Sequence, residues 1–165
     1  MRASPTLGSR MTGLTVTRRS AIHGNGVFAA QDLSAGIEVM VYAGRLRTHA
    51  YIDRVYANTV ESGHTFLFTL NEQYVVDANV DGNDARWINH SCEPNCKPYV
   101  IEDPDGDRKR DRIVIETMRE IAAGEELTFD YGIKLECRHT ARMKKIWACR
   151  CGAPTCTGTM LKPKR

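Results

Sequence analysis

The sequence predicts a mostly β fold of small sheets with few short helices. Three observations lead there. Short alternating runs recur along the chain, glycine and turn residues interrupt them at close intervals, and one stretch alone carries a clear helical period. Leu14-Thr15-Val16-Thr17 alternates as a first strand. Glu38–Tyr42, Thr65–Thr69, Gln73–Asp77, Arg112–Glu116 and Glu126–Phe129 read the same way. Ile52, Val55 and Tyr56 share one helical face, and Thr48 is the N-cap residue that would start that helix. Asp103-Pro104-Asp105-Gly106-Asp107 marks a turn, so Val100 to Arg112 reads as a hairpin with a charged tip.

Length and composition narrow the function classes. A chain of 165 residues fits one domain and can bury roughly 70% of its unfolded surface. With 42% apolar and 26% charged residues, wholesale disorder and fibre are excluded. The 23 basic and 20 acidic residues leave a net charge of +3, too small to argue nucleic-acid specificity. No apolar run approaches the ~20 residues of a membrane helix. The N-terminal residues lack an apolar signal core, which predicts an unsecreted, intracellular protein without disulfides. Its six cysteines then need another role.

Composition also divides the chain. Residues 1–11 read as a flexible tail, and residues 162–165 as a short basic one. After Leu135 the chain is rich in Cys, Lys and Arg, too short for a large core and suited to a metal staple. Cys149, Cys151 and Cys156 form a C-x-C-x4-C run among Gly152, Pro154 and Gly158. Three thiolates held this tightly suit tetrahedral zinc, which asks for a fourth ligand from Cys92, Cys96, Cys137 or a histidine. C-x-C spacing argues against a redox pair. A second cluster, Asn89 to Cys96, holds two cysteines in a polar turn. A glycine loop, His23-Gly24-Asn25-Gly26-Val27, follows the first strand.

Together and in this order, these motifs resemble the SET-domain protein-lysine methyltransferases. Gly24–Phe28 is similar to the family's first cofactor motif, and Tyr42-Ala43-Gly44 to its Y-x-G. Arg86-Trp87-Ile88-Asn89-His90-Ser91-Cys92-Glu93-Pro94-Asn95-Cys96 resembles R-F-I-N-H-S-C-x-P-N-C, with Trp at 87. Gly124-Glu125-Glu126-Leu127-Thr128-Phe129-Asp130-Tyr131 resembles G-E-E-L-T-x-D-Y, and the cysteine run resembles the post-SET motif. The likeness covers residues 12–161, and the 73–96 stretch most resembles the mixed-lineage-leukaemia group of histone methyltransferases. Residues 1–165 show no cysteine-rich pre-SET, reader or DNA-binding motif, so a minimal SET protein like those of bacteria or large viruses is expected as readily as the SET domain of a chromatin enzyme.

The resemblance implies a β-clip-like SET domain over residues 12–135 with a pseudoknot, and a post-SET segment over 136–161. It implies S-adenosylmethionine as cofactor and one structural zinc on Cys92, Cys149, Cys151 and Cys156. Tyr131 would be the main catalytic tyrosine, and Tyr42 would line the lysine channel. Strand alternation places Phe129, not Asp130, beside Tyr131. Phe129 occupies the family's Phe/Tyr switch, so di- or trimethylation is expected. Asp130 is expected to accept backbone or Arg hydrogen bonds. His23, Gly24, Asn25 and Gly26 would approach the cofactor's methionine end; Asn89 and His90 would hold its amino-acid and adenine parts. Arg86 would stand at this site, tying the motif to the core. Trp147, Met160 or Leu161 would pack on the adenine. The substrate would be a lysine in an extended peptide, a histone tail by family default, added beside Thr65–Phe68 or the 45–64 insert. A monomer acting at chromatin, or in a bacterial cytoplasm, is expected. The rival reading is a catalytically weak SET-fold module that binds peptide or zinc.

Overall fold

The computed structural model describes residues 13–58, 65–135 and 138–163. In chain order its strands are β1 (Thr15–Arg19), β2 (Asn25–Ala29), β3 (Glu38–Val41), β4 (Arg45–Thr48), β5 (Leu67–Thr69), β6 (Tyr74–Asp77), β7 (Asn89–His90), β8 (Cys96–Ile101), β9 (Arg112–Thr117) and β10 (Thr128–Phe129). Helix α1 spans His49–Val55 and α2 spans Ala141–Ile146. Single 3-10 turns cover Asp84–Trp87 and Arg108–Arg110. The terminal tails, residues 1–12 and 164–165, lie outside the described residues, as do 59–64 and Cys137.

Four small sheets result: β1-β2, β3-β9-β8, β4-β6-β5 and the parallel pair β7-β10. The expected hairpin is β8-β9, with Ile101 opposite Arg112. The expected helix is α1, where the Thr48 hydroxyl accepts from the Tyr51 amide. Such a cap contributes about 1 kcal/mol. The sheets share a core of Val27, Val39, Ile88, Ile113, Ile115 and Leu127, all almost fully buried.

Several boundaries shift. Leu14, Tyr42, Thr65, Phe66 and Gln73 fall just outside strands, and Glu126 joins Phe28 through an isolated bridge before β10 begins. The glycine loop is not all loop: Asn25–Ala29 is β2, with four of its five residues buried. Burial on both faces removes the alternation that marks a half-exposed strand.

The β7-β10 pair positions the site. Thr128 pairs with Asn89 and Phe129 with His90, joining segments some forty positions apart. Asn95 secures the crossing: its Oδ1 accepts from the Thr128 amide at 2.8 Å and its Nδ2 donates to the Glu126 carbonyl at 2.8 Å. This is the crossing expected of the pseudoknot.

The C-terminal segment is not merely stapled. Met143, Trp147 and Leu161 form a second small buried cluster, joined by Ile133, Leu135, Ile146 and Met160. Helix α2 was not foreseen. At six residues it is too short for a helical period to declare itself.

Candidate active site

Two cavities meet at Tyr131. The first, about 430 Å³, lies between the glycine loop, the Asn89–His90 strand and the C-terminal segment. The second, about 440 Å³, lies between Tyr42, the β5 strand and Phe129. Thr65, Arg86 and Tyr131 line both. The Tyr131 phenol therefore stands at a shared wall rather than turning outward. Its hydroxyl donates to the Ile88 carbonyl at 2.5 Å, and its amide donates to His90 Nδ1 at 3.0 Å.

Electrostatics follow from burial. Desolvation pushes the Tyr131 phenol well above its ordinary range, with Tyr42 and Glu126 adding to the effect. Tyr42 is raised mainly by the same cause. Both are neutral phenols at physiological pH, able to hydrogen-bond without placing a negative charge in the cavity.

Four thiols converge at the edge of the first cavity. The sulfurs of Cys92, Cys149, Cys151 and Cys156 lie within 4.8 Å of one another. Cys92 Sγ is 3.8 Å from Cys149 Sγ and 4.0 Å from Cys156 Sγ. A tetrahedral ion with metal–sulfur bonds of ~2.3 Å requires sulfurs about 3.8 Å apart, so the donor set fits zinc. Burial resists ionisation of Cys151, but the N–H groups of Cys92 and Ala153 and the neighbouring thiols outweigh it and hold the group at about 6. One donor of the four is thus poised as thiolate.

The SET domain profile matches residues 24–132, which include the Arg86–Cys96 and Gly124–Tyr131 motifs and the β7-β10 crossing. The chain belongs to the SET-domain family. The H3 lysine-4 specific histone-lysine N-methyltransferase of Schizosaccharomyces pombe is 41% identical over 141 residues, covering 84% of this chain and 14% of that protein. The protein of that name in Saccharomyces cerevisiae is 40% identical over 144 residues, 85% of this chain and 12% of its own. The histone-lysine N-methyltransferase trithorax of Drosophila virilis is 40% identical over 140 residues, 84% of this chain and 3% of that protein. This SET chain therefore spans a small fraction of the length of these relatives.

On the SET frame, the expected residues sort by cavity. His23, Gly24, Asn25, Arg86, Asn89, His90, Tyr131 and Trp147 line the first; Tyr42, Phe129 and Tyr131 line the second. Gly26 lines neither. It packs behind the loop, where an added Cβ would lie 2.3 Å from Glu126 Oε1 and 2.9 Å from Ser20 Cβ. Asp130 faces away from the second cavity, as alternation predicts. It accepts from the Gly132 amide at 2.9 Å and pairs with Lys162 at 2.6 Å, so its cation is a lysine rather than an arginine. Arg86 donates to the Ala78 carbonyl at 3.2 Å and lies over the Trp87 ring, while also facing both cavities. Trp147 is 2% exposed, anchoring the second cluster and lining the first cavity at once. Met160 shares both roles, whereas Leu161 is in the cluster alone.

Sequence reasoning missed Glu126. Its carboxylate accepts from Ser20 Oγ at 2.7 and 2.8 Å and from Asn89 Nδ2 at 2.8 Å. The Asn89 amide also donates to the His23 and Asn25 carbonyls at 3.1 and 3.0 Å. Asn89 Nδ2 and Glu126 thus form a strut that sets the glycine loop over the first cavity. No spacing in the sequence announces it, because Ser20 and Glu126 are 106 positions apart.

Proposed function

We propose that this chain is an S-adenosylmethionine-dependent protein-lysine N-methyltransferase that acts on histone-tail lysines and carries them to the di- or trimethyl state. We assign residues 12–135 to the SET domain and 136–161 to a zinc-bound post-SET segment. The observation that carries the reading is Tyr131 at the wall shared by two cavities, one for each substrate. The relatives, named as histone-lysine methyltransferases, support it. No helix among the described residues is long and apolar enough to cross a membrane, and a nuclear site of action follows from the substrate.

His23, Gly24, Asn25, Asn89, His90 and Trp147 would hold the cofactor in the first cavity. The cofactor supplies a methyl group already activated by its sulfonium charge. What remains for the protein is alignment and a neutral lysine. Free lysine, with a pKa of about 10.4, is neutral in roughly one molecule in a thousand at pH 7.4, a deficit of about 4 kcal/mol. The second cavity addresses it by burial: Tyr42, Phe68, Phe129 and Tyr131 pack ring on ring, with Tyr42–Phe68 centroids 5.1 Å apart and Phe129–Tyr131 centroids 5.0 Å apart. An aromatic sleeve disfavours the ammonium form relative to the amine. Neutral phenol oxygens orient the amine without a carboxylate that would hold the proton on. The target peptide would add to the outer edge of β5, which among the described residues pairs only with β6.

Zinc on Cys92, Cys149, Cys151 and Cys156 would fasten the C-terminal segment to the SET core. The test is transfer of labelled methyl to core histones and to a lysine-peptide array, with Tyr131→Phe as control. Transfer lost at least a hundredfold in the variant is expected. No transfer from zinc-loaded protein would overturn the reading in favour of a binding module.

A further inference from the structure

The small net charge hides a sharp division. From Arg138 to Arg165 the chain holds eight Lys and Arg residues and no Asp or Glu; the preceding 137 residues hold the other 15 basic and all 20 acidic residues. The two parts therefore carry formal charges of +8 and −5.

The fold keeps this division on the surface. Helix α2 turns Met143 and Ile146 toward the small cluster built around Trp147 and Leu161. Lys144 and Lys145 are left exposed, as is Arg138 just before the helix. Lys134 joins them. Its neighbours Ile133 and Leu135 pack into the same cluster, and Lys134 itself is exposed. A backbone bond from Lys162 to the Ile133 carbonyl ties the two stretches together. On the SET core, three exposed arginines are matched by carboxylates, Arg45 with Asp81, Arg110 with Asp107 and Arg119 with Glu125, while the exposed Arg19, Arg54 and Arg112 have no carboxylate partner among the described residues and lie apart from one another in the chain. Around the small cluster, Lys134, Arg138, Lys144 and Lys145 have no carboxylate partner among the described residues; Lys162, held by Asp130, does. Arg150, between two thiols of the metal set in sequence, is exposed and lines the first cavity, so it is left out of this face.

Unneutralised cations on one small apolar frame repel one another, and they repel a lysine-rich peptide. They are complementary to a dense polyanion. We propose that the α2 face, through Lys134, Arg138, Lys144 and Lys145, docks on the phosphate backbone of duplex DNA without reading sequence. The preference for a duplex rests on the histone-methyltransferase reading, which sets DNA beside the substrate. Duplex DNA offers about one charge per 1.7 Å, enough for all four cations to engage. Four phosphate contacts predict a log–log salt slope of about −3.6, hence roughly a hundredfold loss of affinity between 50 and 200 mM salt.

The test is fluorescence anisotropy with a labelled 30-base-pair duplex and the zinc-loaded full chain, with neither cofactor nor peptide present. Unrelated duplex sequences should bind alike, with that salt slope. Arg138→Glu with Lys144→Glu should weaken binding at least tenfold and leave methyl transfer to a free peptide unchanged. The charge-matched pair Arg54→Glu with Lys109→Glu should weaken it less than threefold. Equal loss in both pairs would reduce the effect to bulk charge and overturn the proposal. So would tighter binding to anionic phospholipid vesicles or to single-stranded RNA than to the duplex. DNA binding is read without turnover, so it survives or fails apart from the methyltransferase reading.

Discussion

The Tyr131 backbone N–H donates to His90 Nδ1 at 3.0 Å, which fixes the tautomer of a buried ring. An accepting nitrogen carries no proton, so the hydrogen sits on Nε2, 3.8 Å from Cys92 Sγ. One imidazole thus touches the backbone of the phenol-bearing residue on one side and a metal-set thiol on the other.

His90 is on this geometry a positioning residue for Tyr131, and substitutions separate that role from simple space filling. His90→Leu leaves the buried Tyr131 N–H without an acceptor, a cost of about 1–3 kcal/mol. His90→Asn returns an acceptor near the place of Nδ1. The expected result is a ten- to hundredfold fall in kcat for Leu and recovery of most of it for Asn, with the Leu variant also the less stable of the two. Equal kcat in both would remove His90 from the positioning of Tyr131.

What was legible in the sequence is chemistry that admits few residue types. The Arg86–Cys96 and Gly124–Tyr131 motifs located the crossing and both cavities, because a glycine approach, a phenol and a thiol have no substitutes there. β6 and β9, although buried on both faces, were legible through their short β-branched runs, Val75-Val76 and Ile113-Val114-Ile115. β8 was not, since Pro98 argues against a strand; it is tolerated because β8 is an edge strand. The Glu126–Asn89–Ser20 strut was illegible, as its members meet only after folding. The cluster under α2 was hidden by its size: Met143 and Trp147 are a single i, i+4 pair, and Leu161 arrives from elsewhere.

On the proposed function, Phe129 would leave room in the second cavity for more than one methyl group. It is 3% exposed, with ring centroids 5.0 Å from Tyr131 and 6.0 Å from Phe68. A hydroxyl added here would hold water where further methyl groups must go. Phe129→Tyr is expected to shift the product from di- and trimethyl toward monomethyl lysine, with the first transfer slowed less than threefold. Mass spectrometry of a peptide driven to completion checks it, and an unchanged trimethyl yield would reject this role.

Acid should undo the β8-β9 hairpin through Asp111. Its carboxylate accepts from the Asp103 amide and from Asn71 Nδ2, each at 2.9 Å, and lies 3.1 Å from Arg108. The Asp103 N–H, aided by Asn71 and Arg108, holds this carboxyl below its usual range. Since the folded value lies below the unfolded one, the unfolded chain binds the extra proton in acid, and stability rises with pH across that interval. The contribution is complete above about pH 4 and fades as pH falls through the folded value. Urea denaturation should therefore find Asp111→Asn less stable than wild type at pH 7, with the gap narrowing as the pH falls below 4. A gap independent of pH would place the effect in packing instead.

Metal removal should act on the C-terminal segment first, and Trp147 reports it. Trp147 is 2% exposed between Met143 and Leu161, and this cluster is joined to the core chiefly by the Ile133–Leu161 bridge, the Lys162–Asp130 pair and the four thiols. Zinc in small modules contributes on the order of 10–16 kcal/mol, more than three buried side chains at about 1.5–3 kcal/mol each. A zinc ion held by these thiols would therefore decide whether α2 and its cluster stay folded. In a Trp87→Phe background, chelation is expected to move Trp147 emission to the red while far-UV circular dichroism of the sheets is retained. Cofactor affinity should fall at least tenfold in the same sample, because Ile146, Trp147, Cys149 and Met160 line the first cavity. Cys156→Ser should behave as a partial chelation. Emission that stays blue after the metal is gone would mean that apolar packing alone holds the segment. Emission that shifts only together with loss of the sheets would mean that the two clusters unfold as one.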